Sequence, residues 1–173
     1  MGYELPVTVL RSNESRMTLV ELFPQSTWIP ELKARDKKSA IKEMLQQLVV
    51  TGKLKDEAAK KAEKAVTKRE GQGSTAIGKG LAIPHAKDCN FIREILGVFA
   101  RSREGIPFDS VDGGPVHVVF LVISPEDQAA QHLNIMKRIA RLHLDEKTLR
   151  FLARDDKLGN LQEIFKEVDD NFS

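Results

Sequence analysis

Two of the four histidines and one arginine carry the chemistry that this sequence offers. His85 closes the stretch "GSTAIGKGLAIPHA", Gly73 to Ala86. Pro84, just before it, has its φ held near about −65° and no N–H to give to a sheet, so the strand "GLAI" is expected to end there. A histidine at a strand end lies on the rim of an α/β sheet, where ligands and chemistry collect in that class. Gly73, Gly78 and Gly80 let a backbone come close and leave N–H groups uncovered, which suits an anion. Arg69 stands ahead of the glycines, and its planar guanidinium fits a phosphate. His132 falls near the start of a later helix, where negative charge is favoured. Converging, the three would hold a phosphoryl group better than a sugar ring.

Each of these residues also has a plainer reading. His85 could be a hydrogen-bonded structural residue at a strand end. His117, inside the apolar run "PVHVVF", and His143, on an apolar helical face, read as structural. His85 and Cys89 stand four apart, a spacing that would need a helix to hold zinc, and Pro84 argues against one. No GxxxxGK[ST] or GxGxxG occurs, so nucleotide fingerprints are absent. No Ser–His–acid order points to a hydrolase.

The elements that must position these residues follow from periodicity. Ala40, Ile41, Met44, Leu45, Leu48 and Val49 form one helical face, with Asp36 as N-cap and Gly52 as stop. "DEAAKKAEKAVTKREG" is the next helix, with an alanine side for close packing and a solvated lysine side. "MTLVELF" is a short apolar segment, and "STWIPEL" carries a strand that Pro30 must stop. "EILGVFAR" and "VHVVFLVI" read as strands buried on both faces, joined by the turn-rich "EGIPFDSVDGGP". Ser124-Pro125-Glu126-Asp127 reads as a helix start, Ser124 serving as N-cap. Leu133, Met136, Ala140 and His143 share a face beyond it, and two further helices follow, from about Asp145 and over "LGNLQEIFKEV". Strands alternating with helices give a single α/β domain, a mixed sheet with helices on both faces.

With 173 residues the chain is long enough for one continuous core. Its formal net charge of +2 is too small to argue for nucleic acid or a membrane surface. One cysteine excludes an internal disulfide and suits a reducing compartment. No apolar run approaches a membrane span and no secretory pattern opens the chain, so a cytoplasmic location is expected. Residues 1–16 read as an N-terminal extension and 17–173 as the domain.

Taken together, "KREGQGSTAIGKGLAIPHA" resembles the signature of the enzyme IIA component of the bacterial phosphoenolpyruvate-dependent phosphotransferase system, mannitol/fructose type (EIIA type-2). The matching positions are Arg69, Glu70, Gly73, Ser74, Thr75, Ile77, Gly78, Gly80, Ala82, Ile83, Pro84 and His85. "GIPFDSVDGGPVHVVFLVISPEDQAAQHL" is similar to the family's later segments, and "GIPFDSVDGGPV" looks closer to the nitrogen-regulatory IIA subgroup than to the mannitol one. The resemblance runs from about Met17 to Val168. It implies a phosphoryl carrier that forms a covalent phosphohistidine on His85, assisted by Arg69 and His132. Ser74, Thr75, Gly78 and Gly80 would position the ring or the phosphate. The implied donor is an HPr-like (NPr-type) phosphocarrier. The implied recipient is a regulatory target or, alternatively, the IIB domain of a fructose/mannitol-type permease. The resemblance calls for no metal or cofactor.

Overall fold

Strand β6 (Val116–Ile123) has neighbours on both sides and apolar side chains on both faces. Val119, Leu121 and Ile123 face one helical layer; Val118, Phe120 and Val122 face the other. Burial on both faces explains why its sequence shows no polar alternation. The computed structural model describes residues Arg16–Asp155 and Leu158–Asn171. Apart from Arg16, the expected extension lies outside them.

The sheet order is β1–β5–β6–β3–β2, with β4 also on β6. β1 (Trp28–Ile29) runs parallel to β5 (Leu96–Ile106), and β5 runs antiparallel to β6 with Phe99 opposite Phe120. β3 (Leu81–Ala82) and β4 (His85–Ala86) both run parallel to β6, and β2 (Ala76–Gly78) is antiparallel to β3. The sheet is therefore mixed, as expected. Pro84 interrupts the β3–β4 line, but its carbonyl still accepts from Val122 N–H at 3.1 Å. The line therefore resumes along β6 after the proline, which keeps His85 in register with Val122 instead of past a strand end.

One face is covered by α2 (Lys37–Val50) and α3 (Asp56–Gly71), whose Ala40, Ile41, Met44, Leu48, Ala62 and Val66 are buried. Asp36 caps α2 by accepting from Ser39 N–H at 2.9 Å, and Gly52 ends it at φ +75°, which glycine adopts without strain. The other face is covered by α1 (Leu19–Leu22), α4 (Ala129–Ala140), α5 (Glu146–Arg154) and α6 (Leu161–Asn171). "MTLVELF" folds as α1, fixed by a Thr18/Glu21 capping box. Phe23, Phe99, Phe120 and Phe165 meet beneath this layer, ring centroids 5.2 to 6.2 Å apart. α1 and α6 are tied together: both carboxylate oxygens of Asp169 accept from Leu19 N–H, at 2.8 and 3.0 Å. Asp169 also pairs with buried Arg138 of α4, which donates in turn to the Met17 carbonyl.

Two expectations are corrected. Ser124 caps no helix: a 3-10 turn at Glu126–Gln128 precedes α4, and the Ser124 hydroxyl bonds instead to His132. His143 is not on the α4 face but in the 3-10 turn Arg141–Leu144, because the α-helical pattern stops at Ala140.

Candidate functional site

Three elements bring the site together. The β3–β4 line supplies His85, the C-terminal turn of α3 supplies Arg69, and the first turns of α4 supply His132. His85 is half-buried. Its Nδ1 lies 2.7 Å from the Ile83 carbonyl across the intervening proline. A carbonyl only accepts, so this bond places the ring proton on Nδ1 and leaves Nε2 with its lone pair. The family resemblance implies Ser74, Thr75 or nearby N–H groups for that task; on the ring, the Ile83 carbonyl takes it.

His132 is 6% exposed, and its ring centroid lies 5.5 Å from that of His85, the planes inclined at 51°. Its Nδ1 is 2.6 Å from Ser124 Oγ. With the hydroxyl donating, the His132 proton sits on Nε2. Burial, then the neighbouring His85 and Lys87, push the His132 pKa from 6.5 down to about 4. Burial also lowers the pKa of His85; the Ile83 carbonyl opposes this, and Arg69 adds to it. Both rings are therefore neutral near neutral pH.

Arg69 donates to the Gly73 carbonyl at 3.0 Å and lines both depressions that flank His85. The larger, about 870 Å³, also includes Ala65, Lys68, Ala129, His132, Leu133 and Met136. The smaller, about 320 Å³, includes Ser74, Thr75, Ile77 and Lys137. Ser74 and Thr75 thus border the site, but their hydroxyls are engaged elsewhere. Ser74 Oγ donates to the Phe108 carbonyl at 2.6 Å, and Thr75 Oγ1 to Glu70 at 2.6 Å. Gly78 and Gly80 border neither depression. They flank Lys79 in the β2–β3 turn, at φ +97° and +77°, beside Asp112 and His117 respectively. Their service to the site is the turn that returns β3 along β6.

Glu70, one of the signature positions, has a structural task. Its buried carboxylate accepts from the Thr75 amide at 2.9 Å and the Thr75 hydroxyl, and meets Lys37 Nζ at 3.1 Å. Lys37 also meets Asp109 at 3.0 Å and lies over the Phe108 ring. The loop between Arg69 and Thr75 is therefore fastened at both ends. The signal was present: Ala62, Val66 and Glu70 recur every fourth residue, so a carboxylate continues the buried face of α3. No sequence signal pointed to Lys37. Cys89 turns into the core beside the Ala86 and Lys87 carbonyls, and burial raises its thiol pKa.

Residues 21–168 match the family model described as "Phosphoenolpyruvate-dependent sugar phosphotransferase system, EIIA 2". The chain belongs to this family. The EIIA 2 chain is 37% identical over 130 residues to a nitrogen regulatory protein of Bradyrhizobium diazoefficiens, covering 75% of this chain and 82% of that one. It is 33% identical over 153 residues to a fructose-specific EIIABC component of Bacillus subtilis, covering 88% of this chain but only 24% of that much longer protein. Its fold superimposes with a TM-score of 0.72 on the nitrogen regulatory protein IIA-Ntr of Neisseria meningitidis, at 27% identity, covering 84% of this chain and 97% of the other. No helix among the described residues of the EIIA 2 chain is long and apolar enough to cross a membrane.

Proposed function

We propose that His85 Nε2 is the phosphoryl acceptor of a carrier that takes its phosphoryl group from a phosphohistidine on a small HPr-like (NPr-type) protein. The observation that carries this reading is the 2.7 Å contact of His85 Nδ1 with the Ile83 carbonyl, which leaves Nε2 nucleophilic beside His132 and Arg69.

The step is an in-line displacement. Nε2 of His85 forms a bond to phosphorus as the bond from phosphorus to the donor's imidazole nitrogen breaks. The bonding pair returns to the donor ring. Positive charge that develops on His85 is held by Nδ1–H and the Ile83 oxygen. The transferred oxygens are met by His132 Nε2–H, oriented from behind by Ser124, and by the Arg69 guanidinium. Catalysis is positioning and charge stabilisation. A neutral His85 at working pH is what a nucleophile requires.

The chain acts as a nitrogen-regulatory IIA whose phosphorylation state selects its partner. Support comes from two relatives named nitrogen regulatory proteins, of whose lengths this chain covers 82% and 97%. The competing reading is a IIA component that relays the group to a sugar-permease IIB domain. It is favoured by a fructose-specific EIIA component of Haloferax volcanii, of which this chain covers 84% at 33% identity.

Incubation with phosphoenolpyruvate, enzyme I and an HPr-like carrier tests the site. One acid-labile, base-stable phosphoryl group is expected, and a label retained by His85→Ala ends the assignment. Binding to a captured partner by wild type, His85→Ala and His85→Asp tests the role. Regulation requires a difference of about 10-fold, or 1.4 kcal/mol, between states. A partner that binds all three alike and takes the phosphoryl group makes this a transport component.

A further inference from the structure

A chain of polar contacts runs from the first residue of α2 to the His85 ring. Lys37 Nζ meets the Glu70 carboxylate at 3.1 Å. That carboxylate accepts from the Thr75 amide at 2.9 Å and from the Thr75 hydroxyl at 2.6 Å. The Thr75 carbonyl accepts from the Ile83 N–H at 3.1 Å. The Ile83 carbonyl, in turn, lies 2.7 Å from His85 Nδ1.

Each link has a reason to hold. Glu70 and Thr75 are buried, and a buried carboxylate needs a cation and donors around it. Lys37 supplies the cation and is itself kept in place, 5.1 Å from the centroid of the Phe108 ring and 3.0 Å from Asp109. Pro84 has no N–H, so the Ile83 N–H is the last backbone donor before His85. It holds Ile83 from the β2 side, while the Val122 N–H holds the Pro84 carbonyl from the β6 side at 3.1 Å. The Ile83–Pro84 peptide unit lies between these two bonds, and its oxygen is the one that sets the His85 tautomer.

The same carboxylate borders the loop that holds Arg69. Glu70 follows Arg69 on the last turn of α3, and its carbonyl accepts from the Gly73 N–H at 3.2 Å. Arg69 donates to the carbonyl of that same glycine at 3.0 Å. The loop that Thr75 closes on Glu70 is thus the loop on which the guanidinium rests. Neither Glu70 nor Lys37 lines a depression beside His85. We propose that Glu70, braced by Lys37, is a positioning residue for phosphoryl transfer: through Thr75 and Ile83 it fixes the His85 ring with its proton on Nδ1, and through the Gly73 loop it aims Arg69. The proposal rests on the reading of His85 as the phosphoryl acceptor. Electrostatics act in the same direction. Burial lowers the His85 pKa, the Ile83 carbonyl opposes this, Arg69 adds to it and the Glu70 charge opposes it, so Glu70 also favours the positive charge that develops on the ring.

The first readout needs no phosphodonor: the imidazole nitrogen shifts of isotope-labelled protein, with His117 as internal reference because its Nδ1 lies 2.9 Å from the Ser102 carbonyl. Wild type should show one Nδ1–H tautomer at His85. Glu70→Gln and Lys37→Met should show mixed tautomers there and leave His117 unchanged. The second readout is single-turnover transfer from the phosphorylated carrier. Both variants should lower the rate at saturating carrier by about 10-fold to 100-fold, the scale on which small misplacements act, and leave the carrier concentration for half-maximal rate unchanged. Lys37→Arg should recover most of the rate and the single tautomer. Should Glu70→Gln not fold, the two Lys37 variants, on another helix, decide the matter. Wild-type rate and tautomer in folded Lys37→Met, slow transfer with the single Nδ1–H tautomer kept, or Lys37→Arg no better than Lys37→Met would each overturn the proposal. A wild type that takes no label at His85 overturns the transfer reading instead, and the tautomers are read independently of it.

Discussion

His132 and His85 face each other with ring centroids 5.5 Å apart, yet only one of them is free to attack. His85 has its Nδ1 proton fixed by a backbone carbonyl, whereas His132 is buried and has Nδ1 taken by Ser124. In the proposed transfer the same side chain serves as nucleophile in one place and as donor in the other, according to what touches the second nitrogen.

That division predicts the kinetics. Arg69→Ala and His132→Ala should fold and accept phosphate slowly, by roughly 100-fold to 1000-fold, or about 3–4 kcal/mol of transition-state stabilisation. His117→Ala and His143→Ala should leave the transfer rate near wild type, since neither borders the depressions around His85. Rates are read from single-turnover transfer from the phosphorylated carrier. Equal losses in all four variants would dissolve the role assignment.

Ser124→Ala should separate orientation from presence. The imidazole stays, but the hydroxyl that sets its tautomer is gone. Loss of a buried hydrogen bond costs about 1–3 kcal/mol of stability. Transfer should slow, though less than in His132→Ala, and Ser124→Thr should restore both. A variant as fast as wild type would show that His132 needs no help from behind.

Acid should weaken the fold in a defined window. The folded-state pKa of His132, about 4, lies below the ordinary 6.5, so the unfolded chain binds more protons between those values. Stability is therefore full above about pH 6.5 and falls as pH drops towards about 4, by about 2 kcal/mol once screening at the cleft mouth is allowed for. Urea midpoints measured across this window should slope more in wild type than in His132→Gln. The two slopes coinciding would mean that His132 is not held neutral. Phosphoryl acceptance should hold its plateau somewhat below pH about 6.5, because the His85 pKa is also lowered.

Two glycines should respond in opposite ways. A methyl group on Gly97 would lie 2.6 Å from Phe23 Cε1 and 2.8 Å from Leu22 Cγ, so Gly97→Ala is expected to cost about 1–3 kcal/mol. Gly71, at the end of α3, has nothing within 4 Å of the same position, and Gly71→Ala should stabilise by up to about 1 kcal/mol. Thermal denaturation of both variants checks the pair, and loss of stability in Gly71→Ala would contradict the packing around α3.

Where sequence and structure agree, local physics decides. The apolar run of β6 could only be a strand covered twice, and Asp36 and Gly52 bracket α2 by capping chemistry that needs no distant partner. Where they part, a polar group had two possible partners and the tertiary one prevailed. Ser124 sits in a capping pattern, but its hydroxyl takes the imidazole eight residues on. Thr75 stands within the signature, but its hydroxyl takes a buried carboxylate five residues back. The convergence of Lys37 on Glu70 joins segments 33 residues apart and left no periodic trace.

The Arg138–Asp169 pair has a consequence for architecture. By joining Met17 and Leu19 to α6, it brings the start and finish of the folded unit to one place on its surface. A unit closed this way behaves like a bead on a string: the thread can enter and leave side by side, and flanking polypeptide can be added or removed with little change in loop-closure entropy. The same fold can therefore serve alone or as one segment of a much longer polypeptide.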